Sequence, residues 1–285
     1  MKIIDLLTEE KLSLSFEVFP PKTETSFESV KVATEEIAKL RPSFMSVTYG
    51  AGGGTSQYTT KIASLIKNRL DTTALAHLTC ASTPKEQIDY ILDTLKGNHI
   101  DNILAMRGDI PQGFQKPQGE YYTYAYELVK HIKEYGYFDI GGACYPECHP
   151  ECESLEKDID NLKNKVDCGV DFLITQLFYD NDIFYSFLEK VRKKGIYAPV
   201  FAGIMPITNI KQIDRITCLS GTKLPTKVTD FLEKYKDIPQ DLEKAGLDFA
   251  INQINDLLLN GVNGIHIYTM NKPYVARTVL KGINR

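Results

Sequence analysis

The stretch "LSFEVFPPK", Leu14 to Lys22, sets one carboxylate, Glu17, in the middle of an apolar run. The Val and Phe on either side read as a strand, which Pro20 and Pro21 end. Burying an unpaired charge costs several kcal/mol. The glutamate therefore belongs either to the solvated face of an edge strand or to chemistry. Side chains alternate along a strand, so Leu14, Phe16 and Val18 share one face and Ser15, Glu17 and Phe19 the other. If outer helices cover the apolar set, Glu17 points inward near the C-terminal end of its strand.

The rest of the chain repeats this unit. Short apolar, β-branched runs recur at Leu14–Pro20, Phe44–Gly50, Thr73–Cys80, Asn102–Asp109, Ile140–Pro146, Phe172–Tyr179, Pro199–Pro206 and Gly264–Asn271. Between them lie stretches that are apolar at helical spacing and charged elsewhere, such as "SFESVKVATEEIAKL", "PKEQIDYILDTLKG" and "SLEKDIDNLKNKVDCG". Gly97 and Gly169 stand where a glycine stops a helix. The gap between the seventh and eighth runs is longer and predicts extra helices near 226–236 and 242–259. Eight βα units of roughly 30 residues make a (β/α)8 TIM barrel of about 250 residues. A doubly wound sheet is the alternative, but no Pro/Gly-rich linker divides the chain. The expectation is a single α/β domain over residues 1–285, a closed barrel with extra helices between strands seven and eight.

Composition bounds the function. The 285 residues are 43% hydrophobic and 25% charged, which suits a globular chain with a substantial core. A net charge of −4 gives no footprint for nucleic acid or an anionic membrane. "MKIIDLLTEEK" has acids where a secretory signal needs a basic start, and no apolar run approaches the ~20 residues of a membrane span. Six cysteines without a signal fit a reducing compartment, so the expected location is the cytoplasm.

Polar residues collect where the strands end. Strand two ends in Thr48 and Tyr49, strand three carries His77 late, and strand four ends in Arg107, Gly108 and Asp109. Tyr145 closes strand five with His149 beyond it, Gln176 interrupts strand six, and strand eight ends in Tyr268, Thr269 and Asn271. In barrel enzymes that rim carries the chemistry. Cys144, Cys148 and Cys152 with His149 form C-x3-C-x3-C, but metal motifs have two-residue gaps and Pro146 and Pro150 prevent helical alignment. No metal is expected. No G-x-G-x-x-G follows the first strand, so no dinucleotide binds in the Rossmann manner, and the glycines of "GAGGGTS" read as a turn.

The motifs "SFEVFPPK", "SVTYGAGG", "AHLTC", "MRGD", "YPECHPE", "ITQLFYD" and "GIMPITN", in that order, resemble the methylenetetrahydrofolate reductases over nearly the whole chain. The resemblance is to the short bacterial form, a catalytic barrel alone. It implies an FAD-dependent oxidoreductase of one-carbon metabolism and methionine biosynthesis, with a ping-pong mechanism. NADH or NADPH would supply hydride, and 5,10-methylenetetrahydrofolate would become 5-methyltetrahydrofolate. A homo-oligomer and an accessory electron-transfer subunit are compatible with it.

Carried over residue by residue, the resemblance places the flavin on Thr48, Tyr49, Ala51, His77, Arg107, Gly108, Asp109, Tyr145, His149, Asp158, Asn161 and Lys165. The last three are spaced i, i+3, i+7, one face of a helix, and Arg107 and Lys165 would offset pyrophosphate charge. Asp109 would stand beside the flavin ring and tune its potential. Glu17, Gln176, Tyr268 and Lys272 would meet the folate. Glu17 would act as general acid, since opening the methylene bridge leaves a ring nitrogen that needs a proton and a largely buried glutamic acid can give one. Two positions depart from the family pattern. Ile210 stands where an aromatic ring is usual, and Lys272 where arginine is frequent. Alternatives are another barrel flavoprotein, similar to proline dehydrogenase, or a metal-carrying interaction protein.

Overall fold

A computed structural model describes residues 1–9, 12–50, 56–110, 113 and 120–284. Its strands are β1 (Ser13–Val18), β2 (Phe44–Val47), β3 (Thr73–Thr79), β4 (Asn102–Met106), β5 (Asp139–Cys144), β6 (Phe172–Thr175), β7 (Val200–Ile204) and β8 (Gly264–Tyr268). Each pairs in parallel with the next, and β8 pairs back onto β1, closing the barrel that the βα beat predicts.

Helices follow the strands: α1 (Ile3–Glu9), α2 (Phe27–Ala38), α3 (Ser56–Asn68), α4 (Lys85–Gly97), α5 (Ala125–Tyr135), α6 (Leu155–Asp167) and α7 (Asn181–Lys193). The connection from β7 to β8 holds α8 (Ile210–Ser220), α9 (Thr226–Tyr235) and α10 (Pro239–Leu259), of which α9 and α10 are the extra helices that the long gap predicts. The last helix is α11 (Pro273–Gly282).

The alternation in β1 turns out as read. Leu14, Phe16 and Val18 join the large core between sheet and helices. Ser15 and Glu17 face the barrel axis, in register with Phe44 and Ser46 of β2 and with His266 and Tyr268 of β8. The barrel floor is a separate apolar plug of Phe44, Leu75, Leu104, Phe172, Ile174 and Phe201, sealed by Ile3 of α1. Phe44 and Phe201 meet edge-on at 5.1 Å. Above the plug the inward residues turn polar.

The structure corrects two details. Most strands stop one to four residues before the apolar runs do, so Arg107, Gly108, Asp109 and Gln176 lie in loops at the rim. Gly97 does not stop α4. It is the last residue of the helix, and the left-handed turn comes two residues later, at His99 (φ 60°). Gly169, at φ 120°, does follow the end of α6.

Candidate active site

The rim residues fall into two connected parts. The deeper one is a polar pit above the floor. Glu17 is 6% exposed, and its Oε2 lies 3.6 Å from Nε2 of both His77 and His266. Those separations exceed a hydrogen bond, so the imidazoles flank the carboxyl without fixing its proton.

The Ser15 hydroxyl lies 3.2 Å from the Ile265 carbonyl and within hydrogen-bond distance, 2.8 Å, of His266 Nδ1. Nε2 of the same ring lies 3.3 Å from the Ser46 hydroxyl and 3.6 Å from Glu17 Oε2. His77 Nε2 is buried with no hydrogen-bond partner among the described residues. Burial pushes the pKa of His77 down to about 4, against the pull of Glu17 and with the help of His266.

The second part is a cavity of about 890 Å³ over the ends of β4, β5 and β6. Its walls include Tyr49, Arg107, Gly108, Asp109, Tyr145, His149, Asp158, Asn161, Lys165 and Gln176. Gly108 is at φ 78°, and a Cβ there would come within 2.6 Å of the Thr79 side chain. Glycine therefore lets the β4 loop lie against β3.

Helix α6 begins where the Ser154 hydroxyl accepts from the Lys157 amide, and it presents Asp158, Asn161 and Lys165 to the cavity, as their spacing predicts. Asp158 accepts from the His149 amide at 2.9 Å and fixes the β5 loop, and burial raises its pKa. Lys165 donates to the Ala143 carbonyl, and burial lowers its pKa. Burial pushes the Tyr145 phenol up to about 12. Arg107 is engaged end-on by Glu151, at 2.6 and 2.8 Å. That fork leaves other N–H groups of the guanidinium available.

Tyr268 stands between the two parts, close enough for its phenol to feel both Glu17 and Tyr145, and it donates to the Thr175 carbonyl at 2.7 Å. It fits because position 203 is glycine: a Cβ there would lie 2.7 Å from the Tyr268 oxygen.

Other residues named from the sequence are placed elsewhere. Thr48 is at the rim outside the cavity wall, its carbonyl accepting from Thr59 at 2.9 Å. Lys272 reaches Thr208 at 2.8 Å, outside the cavity wall, and Ile210 packs partly buried at the start of α8. Ala51 lies outside the described residues. Thr269 and Asn271 hold the fold: the first donates to the Glu17 carbonyl, the second exchanges two hydrogen bonds with the Phe19 backbone. Ser15, Ser46 and His266 escaped the sequence reading. A lone histidine between isoleucines resembles core, and only the register Ser15↔His266 shows that it faces Glu17.

Parallel strands closed into a barrel, with a polar pit and a wide cavity at their C-terminal ends, define a (β/α)8 barrel whose working face is its upper rim. The particular family follows from comparison with known proteins. The sequence model of the methylenetetrahydrofolate reductases matches residues 2–284, and the chain belongs to that family. It is 40% identical over 289 residues to methylenetetrahydrofolate reductase (NADH) 1 of Arabidopsis thaliana, covering 95% of this chain and 49% of that one. To the 5,10-methylenetetrahydrofolate reductase of Escherichia coli strain K12 it is 34% identical over 262 residues, covering 92% and 87%. The chain thus spans about half the length of its plant relatives and most of the bacterial one. Among solved structures, an uncharacterized Clostridium thermocellum protein that binds two copies of 5-methyl-5,6,7,8-tetrahydrofolic acid shares the fold. Its TM-score is 0.64 at 14% identity, over 97% of this chain and 98% of that one. No helix among the described residues is long and apolar enough to cross a membrane.

Proposed function

We propose that residues 1–285 act as one catalytic unit that reduces 5,10-methylenetetrahydrofolate to 5-methyltetrahydrofolate, using FAD and a reduced nicotinamide in two successive half-reactions. Glu17 carries this reading: a carboxyl group held at the bottom of the rim between two imidazoles, next to a cavity of a cofactor's size.

The donor set fits FAD. Arg107 and Lys165 supply cationic N–H groups for the pyrophosphate, while His149, Asp158 and Asn161 supply polar groups for ribose and ribityl hydroxyls. His77 offers an unpartnered buried nitrogen, and Asp109 stands at the exposed edge to bias the ring's potential. When bound, FAD supplies two-electron hydride chemistry between nicotinamide and folate.

The chain's own residues handle the proton. Glu17 gives it to the folate nitrogen released when the methylene bridge opens to an iminium ion. His266, held through Nδ1 by Ser15, keeps its ring 3.6 Å from the carboxyl. Gln176 and Tyr268 meet the pterin side. The name of the plant relative favours NADH over NADPH as donor.

The test is the visible spectrum of the purified protein, taken anaerobically with NADH and then with methylenetetrahydrofolate. A yellow protein that NADH bleaches and the folate restores is expected. Yellow protein indifferent to the folate would point to a barrel flavoprotein with another substrate. Colourless protein that takes up no FAD would overturn the flavin assignment.

A further inference from the structure

We propose that Cys148 and Cys152 form a reversible dithiol–disulfide pair in the wall of the cavity. Both sulfurs belong to one tight turn of the β5 loop. The Cys152 amide donates to the His149 carbonyl at 2.8 Å, and the Cys148 sulfur lies 3.5 Å from the same oxygen. That sulfur is also 3.8 Å from the Cys152 carbonyl, so the Cys148 side chain is folded over its partner's backbone. Cys148 takes φ 109°, a region that side chains rarely adopt. With that backbone the Cys148 sulfur lies against the main chain of the second cysteine.

The two thiols are not equivalent. Cys152 lines the cavity, with the Asn161 side-chain N–H directed at its sulfur from 3.9 Å. Cys152 is the sulfur on the cavity side of the turn. Cys148 does not line the cavity, and burial, Asp158 and the Cys152 thiol push its own thiol up. Cys152 is therefore the attacking sulfur and Cys148 the resolving one. Of the remaining cysteines, Cys144 is buried and pushed up to about 12, which makes it inert, whereas Cys218 is exposed and serves as an internal control.

The oxidant is a low-molecular-weight disulfide. The Cys152 thiolate attacks one of its sulfurs, the reagent's S–S bond breaks, and one reagent thiol leaves with the proton that Cys152 gave up. Cys148 then loses its proton and attacks the Cys152 sulfur, and the second reagent thiol leaves with that proton. Two protein thiols lose two electrons, and the reagent disulfide becomes two thiols. The linkage ties down the turn that carries His149 and Glu151, the residues that meet Asp158 and Arg107.

The full-length protein would be incubated with oxidised glutathione until Cys218 is fully modified, then alkylated and mapped by peptide mass. The expected product is a Cys148–Cys152 cross-link, lighter by two hydrogens and reversed by dithiothreitol. Cys148→Ser is expected to stop at a glutathione adduct on Cys152, and Cys152→Ser to leave Cys148 as a free thiol. Recovery of both wild-type cysteines as free thiols after Cys218 has reacted would overturn the proposal. A stable adduct on wild-type Cys152 would do the same. The wild-type map alone decides, whichever variants fold.

Discussion

Glu17 lies almost wholly out of water, with an imidazole nitrogen 3.6 Å away on either side and no hydrogen-bonded cation among the described residues. An amide in its place keeps the shape and loses the acid proton. In Glu17→Gln, bleaching of the flavin by NADH is expected to stay within about threefold. Re-oxidation by methylenetetrahydrofolate should fall at least ~10²-fold, the scale of general acid catalysis. Stopped-flow absorbance separates the two steps, and a normal folate step would remove Glu17 from the chemistry. His77 makes a different prediction. Its pKa of about 4 in the folded state lies below the ordinary value of 6.5, so the unfolded chain binds the proton first as pH falls. The stability present above pH 6.5 is lost between there and pH 4, amounting to about 2 kcal/mol from pH 7 to pH 5. Urea midpoints at the two pH values should show that slope in the wild type and lose it in His77→Gln. At this scale Glu17 and His77 were legible because each breaks an apolar run. His266 breaks one too, but what it faces depends on a strand at the other end of the chain.

The helices show how the same change can carry opposite signs. Gly246 lies where α10 crosses the loop after β7, and a Cβ there would fall 1.9 Å from the Ile207 carbonyl oxygen. Backbone cannot step aside as a side-chain tip can. Gly246→Ala is expected to cost about 3 kcal/mol and to disturb the loop that leads to Asn209. Gly97, the last residue of α4, has nothing within 4 Å of its would-be Cβ. Gly97→Ala should therefore stabilise the protein by about 0.5–1 kcal/mol, through helix propensity and a less flexible unfolded chain. Urea unfolding of both variants checks the pair, and equal signs would contradict it. The eight strands and the helices between most of them were readable, because period-two and period-3.6 apolar patterns alternate so regularly, whereas α1, α8 and α11 were not read. Element ends were less readable. The run "FLITQLFY" continues beyond the end of β6, since Leu177, Phe178 and Tyr179 of the rim loop are buried as well. Gly97 misled for the same local reason: nothing in its own neighbourhood shows that His99 takes the turn.

Closure is the property that no single segment contains. Glu17 and His266 are far apart in sequence and become neighbours only because β8 pairs with β1, Ser15 beside His266 and Glu17 beside Tyr268. Counting eight βα units pointed to a barrel, but the doubly wound alternative has the same count. The two differ in what the last strand does. In an open sheet, an edge strand can be lost and the remainder still folds, weakened by the contacts removed. In a closed barrel, loss of β8 turns β1 and β7 into two exposed edges at once. It also removes His266 and Tyr268 from the pit, and Val275, Ala276 and Val279 of α11 from the core. A chain ending at residue 263 is accordingly expected to show no cooperative thermal transition and to aggregate, by calorimetry and light scattering. A truncated chain that melted cooperatively as a monomer would mean that the other seven strands hold together without closure. Glu17 would then need a different explanation for its burial, because half of its surroundings would have been dispensable.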